Sequence, residues 1–166
     1  MSRTACFSMS EGALSRRALL GALLGLTAFQ QLHAAQVTVP KARSLGAEVA
    51  QALQGGHPLL VMISLNGCPF CKIARENYLG PLQEQGVPMV QLDIHSTANV
   101  MTFDGTAATH DSVVRAWKIK IAPTILFLGR GGREIAPRLV GGSQSDFYGA
   151  YLDERLALAR LVINAT

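Results

Sequence analysis

Cys68-Pro69-Phe70-Cys71 is the stretch of sequence that decides the fold of this chain. The apolar run Leu59–Leu65 comes before it and predicts a buried strand, with Asn66-Gly67 as the turn. Because proline is tolerated in the first turn of a helix, the stretch is predicted to open a helix that extends to about Tyr78. Gly80-Pro81 is predicted to interrupt that helix. Two thiols three residues apart are therefore predicted at the start of a helix that follows a strand.

Two thiols at this spacing can close a small disulfide and open it again. At a helix start, unpaired backbone N–H groups and the helix dipole favour a negative charge, and hence the nucleophilic thiolate form of Cys68. Cys71 is predicted to lie one turn further in and to be more buried. We expect Cys68 to attack a disulfide and Cys71 to release the product from the mixed disulfide.

The rest of the sequence predicts an α/β domain with a mixed central β-sheet and helices on both faces. Helical spacing, short apolar runs and turn residues predict helix 42–53, strand 87–93, a polar loop or short hairpin over 96–109, helix 112–117 with Asp111 as its cap, strands 124–128 and 134–140, and a final helix from 143 or 145 to about 163. The turn Gly129–Gly132 makes the last two strands antiparallel. The apolar side of the final helix is predicted to contain Phe147, Tyr151, Leu152, Leu156, Ala159 and Val162 or Ile163.

The first 35 residues are predicted to form an export signal peptide, and residues 36–166 the folded domain. Arginines precede the apolar run Ala18–Phe29, and His33-Ala34-Ala35 offers small residues for cleavage. The run is short for a membrane span, so an uncleaved anchor is the less favoured alternative. Arg16-Arg17 resembles a twin-arginine export motif, although any export signal needs positive charge. We therefore expect a periplasmic protein.

Length and composition fit one globular domain, since the chain has 166 residues, of which 49% are hydrophobic and 16% charged. Three of the 15 basic and one of the 11 acidic residues lie in the predicted leader, so the net charge of +4 falls to +2 without it. This charge gives no indication of binding to nucleic acid or to an anionic membrane. Cys6 leaves with the leader. The domain then keeps Cys68 and Cys71, which have no other intramolecular disulfide partner.

Over nearly all of residues 36–166, the sequence resembles the thioredoxin superfamily. The resemblance lies in the C-x-x-C stretch followed by Lys72, in Ala122-Pro123-Thr124 about fifty residues later, in the turn Gly129–Gly132, and in Gly141 before the last helix. It implies the thioredoxin fold and the activity of a thiol–disulfide oxidoreductase.

The resemblance also implies the residues of the site. Pro123 would be cis, and its loop would lie beside the two thiols. Ala122 would offer backbone hydrogen bonds to an extended substrate segment, and Pro69 and Phe70 complete the expected substrate-binding residues. The redox group implied is the Cys68–Cys71 disulfide, with no further cofactor and no bound metal.

Within the superfamily, Phe103-Asp104-Gly105 before the short helix resembles the exported SoxW-type and TlpA-like proteins. Two positions depart from the thioredoxin pattern. Gly67 stands where many thioredoxins have tryptophan, and Met62 where cytosolic thioredoxins have a buried aspartate that helps proton transfer. Protons from the resolving thiol must then use water or another group. Lys72 and Glu76 are candidates, although a solvated helix face explains both.

The residues between the cysteines favour a reductant over an oxidant, because proline followed by an aromatic residue resembles the mildly reducing glutaredoxins. A protein disulfide is the expected substrate, and the protein is expected to act as a monomer. Because the periplasm is kept oxidising, a reductant there needs electrons from a membrane donor of the thiol-transfer type.

Two alternatives stay open. Gly141-Gly142-Ser143 resembles the glutaredoxin element that holds a glutathione carboxylate, although a flexible strand-to-helix turn explains it as well. In a different class, a metallochaperone would hold Cu(I) or zinc with the same two cysteines. His57, His95 and His110 show no i, i+4 pairing, and a surface or turn position is expected for each.

Overall fold

The structure is a computed structural model that describes residues 37–142 and 145–165. The export signal predicted over residues 1–35 lies outside the described residues. In the part of the chain that is described, no helix has the length and apolar character needed to cross a bilayer. The described residues all fall within residues 36–166, the range predicted for the folded domain.

The centre of the fold is a four-stranded mixed sheet, accompanied by a two-stranded hairpin. The strands are β1 (Leu59–Ser64), β2 (Met89–Asp93), β3 (Asn99–Met101), β4 (Ala107–Thr109), β5 (Thr124–Leu128) and β6 (Glu134–Val140). The order in the sheet is β2–β1–β5–β6, with β2 parallel to β1 and the other neighbours antiparallel. Strands β3 and β4 form the hairpin. The predicted mixed sheet and antiparallel final strands are confirmed.

Helices and turns connect these strands. The helices are α1 (Leu45–Gln54), α2 (Pro69–Ile73), α3 (Gly80–Glu84), α4 (His110–Ala116) and α5 (Ser145–Asn164). A π-helical turn, Ala74–Leu79, joins α2 to α3, and a 3₁₀ turn, Arg130–Gly132, joins β5 to β6. The stretch Cys68–Cys71 therefore opens a helix after the central strand β1, as predicted.

Apolar side chains fill both faces of the sheet. Every residue of β1 is buried, and alternate residues point to opposite faces. On one face, α2, α3 and α5 pack on the sheet in a cluster that includes Met62, Cys71 and Leu152. On the other face, α1 and α4 pack in a cluster that includes Leu45 and Val113. Helices cover both faces, as predicted, and Cys71 is part of the apolar core.

Two local predictions are wrong. Gly80-Pro81 does not interrupt the helix, because the chain continues from α2 through the π-helical turn into α3. The wider turn makes room for the proline ring, which would clash with a carbonyl group in a regular α-helix. Helix α4 is capped by Thr109 and not by Asp111. The side chains of Thr109 and Ser112 each accept from the other residue's backbone N–H, at 3.2 and 3.0 Å, in a capping box.

The apolar face of α5 also differs in part from the prediction. Leu152 and Leu156 are buried as predicted, whereas Phe147 and Tyr151 are 63% and 46% exposed. Tyr148 is buried in their place. Because residues four apart share one face of a helix, Tyr148, Leu152 and Leu156 point to the sheet together, and Phe147 and Tyr151 lie on a more exposed side of the helix.

Candidate active site

The turn between β1 and α2 presents Cys68 at the end of the central strand. The backbone N–H of Cys68 donates to the carbonyl oxygen of Leu65 at 3.2 Å, which closes the turn. Gly67 has a φ of +72°, in the left-handed region that glycine adopts without strain. A tryptophan at this position would be strained, which gives a conformational reason for the departure noted above. Pro69 follows as the first residue of α2.

Cys68 and Cys71 form a disulfide, with their Cα atoms 5.2 Å apart. Cys68 is the N-cap residue of α2, and the backbone N–H of Cys71 donates to its sulfur at 3.1 Å. In the reduced protein, this N–H favours the thiolate form of Cys68. Cys71 is only 2% exposed, whereas Cys68 is partly exposed. A substrate can therefore reach the sulfur of Cys68 first.

The loop before β5 lies against Cys68. The carbonyl oxygen of Ala122 is 3.9 Å from the Cys68 sulfur, and the Ala122–Pro123 peptide bond is cis. A disulfide sulfur carries no proton, so this approach is a van der Waals contact in the oxidised protein. The Thr124 hydroxyl donates to the carbonyl oxygen of Ile121 at 2.7 Å and holds the loop in place. The structure thus brings residues 122 and 123 to the two cysteines.

Apolar residues border this contact, and we call Phe70, Ile121, the buried Pro123 and Gly142 the apolar flank. Phe70 and Ile121 are 50% and 53% exposed. A Cβ atom added to Gly142 would lie 3.2 Å from Pro123 Cγ and 3.3 Å from Phe70 Cβ, so a larger residue would displace one of them. The N–H of Gly141 donates to the Pro123 carbonyl oxygen at 2.8 Å. From the sequence, Gly142 is predicted to belong either to a flexible turn or to an element that resembles the glutathione-binding element of glutaredoxins, and the glycine pair is the signal for both.

A groove of about 650 Å³ opens on another side of Cys68. We call it the cationic groove, because Lys41, Lys72 and Arg75 line it. Asp93 is the one carboxylate among its described lining residues. None of the four residues of the apolar flank lines the groove. Two different surfaces therefore meet at the accessible sulfur, one apolar and one positively charged.

Little around the resolving thiol can accept a proton. Met62 is 1% exposed and belongs to the same apolar cluster as Cys71. The two candidates named from the sequence, Lys72 and Glu76, form an ion pair with each other at 3.9 Å, and Lys72 is 63% exposed. This pair fits the solvated helix face that was the alternative explanation. Water is then the simplest proton acceptor for Cys71.

His110 is buried, contrary to the surface or turn position expected from the sequence. It is 1% exposed, its Nδ1 accepts from the backbone N–H of Asp93 at 3.3 Å, and its Nε2 donates to the carbonyl oxygen of Ala42 at 3.1 Å. The ring therefore ties the start of α4 to the end of β2. Within residues 37–142 and 145–165, no three His, Cys, Asp or Glu side chains are grouped to hold a metal ion.

Comparison with known proteins supports the same architecture. A family model described as a thioredoxin-like domain matches residues 45–155. Among solved structures, the DsbH oxidoreductase is similar with a TM-score of 0.52 and 16% identity, over 87% of this chain and 99% of that chain. That likeness concerns the fold.

Two further solved structures are similar with lower scores. The Schistosoma mansoni thioredoxin pre-protein has a TM-score of 0.46 at 15% identity, over 72% of this chain and 95% of its own. Trxlp from Edwardsiella tarda EIB202 has a TM-score of 0.45 at 23% identity, over 72% of this chain and 98% of its own. A comparison with curated proteins gave no match.

Proposed function

We propose that this chain, which belongs to the thioredoxin-like domain family, reduces disulfides of exported proteins. Family membership and the Cys68–Cys71 disulfide make it a thiol:disulfide oxidoreductase. The observation that carries the proposal is the contact between the partly exposed Cys68 and the backbone of Ala122. An extended substrate segment can pair with that backbone while its sulfur meets Cys68.

In the reductive direction, the Cys68 thiolate attacks one sulfur of the substrate disulfide. A bond from Cys68 to the substrate forms, the substrate S–S bond breaks, and the other substrate sulfur leaves as a thiolate that takes a proton from water. Cys71 then gives its proton to water and attacks Cys68. The enzyme disulfide forms, and the second substrate sulfur leaves and is protonated. Two electrons have passed from the cysteine pair to the substrate.

The surroundings of Cys68 support the reductive direction. A strong thiol oxidant owes its potential to a reduced form that is strongly stabilised. Here the Cys68 sulfur accepts from one backbone N–H, that of Cys71 at 3.1 Å. It also faces the carbonyl oxygen of Ala122 at 3.9 Å, whose partial negative charge opposes an anion on the sulfur. The Ala122 carbonyl thus offsets part of the stabilisation that this N–H and the positive charges of the cationic groove give the thiolate, and together with Pro69-Phe70 between the cysteines it supports a reductant.

The predicted export signal supports a periplasmic location. A reductant in that oxidising compartment takes its electrons from a membrane donor of the thiol-transfer type. The resemblance of Phe103-Asp104-Gly105 to SoxW-type and TlpA-like proteins supports the same setting. Both thiols and the loop at Ala122-Pro123 come from one chain, so the site needs no second copy, and we propose that the protein acts as a monomer.

Reduction of insulin under metal-free conditions tests this function. The wild-type protein should catalyse the reaction with dithiothreitol as electron source, and Cys71→Ser should accumulate a mixed disulfide that mass spectrometry locates on Cys68. Cys68→Ser is the matched control and should form no such adduct. An inactive wild-type protein that instead binds Cu(I) or zinc stoichiometrically, and loses the metal with either cysteine, would establish the metallochaperone alternative.

A glutathione-linked reductase is the second candidate, because Gly141-Gly142-Ser143 resembles the glutathione-binding element of glutaredoxins, and a Cβ atom added to Gly142 would lie within 3.3 Å of Phe70 and Pro123 beside the reactive sulfur. In a monothiol mechanism Cys71 is dispensable, since glutathione releases the product from Cys68. Cys71→Ser should then keep full activity with glutathione as reductant. Loss of turnover in this variant would favour the dithiol mechanism proposed here.

A further inference from the structure

We propose that the cationic groove binds a carboxylate that lies close to the substrate disulfide, with Arg75 as its main ligand. The substrate class is therefore a disulfide flanked by an acidic side chain. This inference rests on the proposed function, because the groove borders the same sulfur. Gly67, Cys68 and Pro69 form one part of its lining, so a chain that delivers its disulfide to Cys68 places neighbouring residues in the groove.

The only carboxylate among the described lining residues is already engaged. Asp93 forms an ion pair with Lys41, and its Oδ1 accepts from the side-chain amide of Gln91 at 2.6 Å. The charges of Lys41 and Asp93 therefore neutralise each other. These contacts also fix the amide of Gln91, so that its oxygen points away from Asp93 and is available to another donor.

Arg75 is held in place by neutral groups. Its Nη2 donates to the hydroxyl of Ser64 at 3.3 Å and to the amide oxygen of Gln91 at 3.2 Å. Ser64 and Gln91 are 1% and 4% exposed. None of the ion pairs between residues 37–142 and 145–165 includes Arg75. The guanidinium is thus oriented without being neutralised, and its fork of donors suits a carboxylate.

The spacing along the helix places the charges next to the reactive sulfur. Cys68 is the N-cap of α2, Lys72 lies within α2 and Arg75 lies in the π-helical turn that continues it, and all three line the groove. Lys72 shares its charge with Glu76 at 3.9 Å, a long distance for an ion pair. Arg75 therefore dominates, with Lys72 adding positive potential nearer to Cys68.

The competing explanation is structural. Arg75 could serve only to satisfy the buried polar groups of Ser64, at the end of β1, and of Gln91, in the middle of β2. A purely structural arginine would affect all substrates equally. A carboxylate ligand would affect only those that carry the negative charge, so the charge of the substrate separates the two explanations.

The test uses two synthetic peptides that differ at one position beside an intramolecular disulfide, Glu in one and Gln in the other. The second-order rate constant for oxidation of the reduced protein is measured with each peptide by quenching and thiol alkylation. We expect the Glu peptide to react about fivefold faster, and this preference to disappear at about 1 M salt, where charges are screened beyond about 3 Å.

Arg75→Gln should abolish the preference, so that the ratio of the two rate constants falls to about one. Lys72→Gln should lower this ratio only in part. Because this variant keeps the hydrogen bonds of Arg75 to Ser64 and Gln91, it tests the role of charge even if Arg75→Gln fails to fold. Arg133→Gln removes one positive charge at the opposite end of β5 and should keep the full preference.

Equal rates of the wild-type protein with both peptides would overturn the inference while leaving the proposed function intact. A preference that survives in both Arg75→Gln and Lys72→Gln would overturn it as well. Failure of the wild-type protein to react with either peptide would instead contradict the proposed function itself.

Discussion

The two surfaces that meet at Cys68 recognise a substrate by different physical means. The apolar flank offers Phe70, Ile121 and a loop backbone, which fit any extended chain and respond little to salt. The cationic groove offers oriented charge, which selects among substrates and weakens as salt rises. The comparison teaches that one surface supplies general docking and the other supplies selectivity, and mutations should separate the two.

The largest effect on activity is expected at Cys68, because both surfaces border its sulfur. Cys68→Ser should lower the rate of insulin reduction by about 10³-fold or more, because the hydroxyl is a far poorer nucleophile toward sulfur than a thiolate. Both peptides of the charge test should be affected alike. Substantial remaining activity in this variant would show that the reaction does not begin at Cys68.

The next effect concerns the apolar flank alone. Gly142→Ala places a methyl group 3.2 Å from Pro123 and 3.3 Å from Phe70, so one of these neighbours must move. We expect kcat/KM for insulin to fall about tenfold. The ratio of the rate constants for the Glu and Gln peptides should stay unchanged. The control is Gly46→Ala, whose methyl group would meet its nearest atom at 3.5 Å, an ordinary contact. A similar loss in both variants would contradict a specific role for Gly142.

A smaller effect is expected for the exposed ring on the same flank. Phe70→Ala should raise KM for insulin about threefold, because the ring is 50% exposed and free to contact a substrate. The increase should be the same at low and high salt, unlike the effect of Arg75→Gln. Phe147→Ala removes a ring that is 63% exposed on α5 and serves as control. An equal change in both variants would mean that exposed rings act nonspecifically.

The smallest effect on activity is expected in the core behind the disulfide, where stability changes instead. Burial raises the pKa of Tyr148 to about 12, and its hydroxyl has no hydrogen-bond partner among the described residues. The folded protein therefore holds this proton more tightly than the unfolded chain, whose tyrosine titrates near pH 10. Stability should fall as pH rises from about 10 to about 12, by up to about 2–3 kcal/mol.

Tyr148→Phe tests this prediction, because it removes the titrating group and keeps the ring. Denaturant unfolding should show similar stability for this variant and the wild-type protein near neutral pH, and a smaller loss for the variant above pH 10. Tyr151→Phe, at a residue that is 46% exposed, should behave as the wild-type protein does. If Tyr148→Phe and the wild-type protein lose the same free energy of unfolding above pH 10, the loss does not come from the titration of Tyr148.

The sequence was sufficient for those parts of the fold and site that depend on local patterns. The strand before Cys68, the helix start at Pro69 and the order of helices and strands along the chain follow from apolar runs, proline and glycine positions. The pairing of Cys68 with Cys71 needs only a spacing of three residues. The proximity of Ala122 to Cys68 came from the family resemblance, since residues 54 positions apart leave no local signal.

The remainder depends on contacts between distant segments. Arg75 meets Gln91 only because the helix after β1 packs beside β2, and nothing in either segment indicates the partner. His110 can be buried because the carbonyl oxygen of Ala42, 68 residues earlier, accepts a hydrogen bond from its ring. On α5, the predicted apolar face contained Phe147 and Tyr151, whereas packing on the sheet buries Tyr148 instead. Tertiary packing decides each of these features.

The reduction potential of the Cys68–Cys71 pair tests the central claim most directly. It can be measured by equilibrating the protein with a thiol–disulfide buffer and quantifying the alkylated fraction. The proposal that this protein is a reductant predicts a value near that of thioredoxins, about −270 mV. A value near about −120 mV would identify a strong oxidant and contradict the proposal that this protein reduces disulfides.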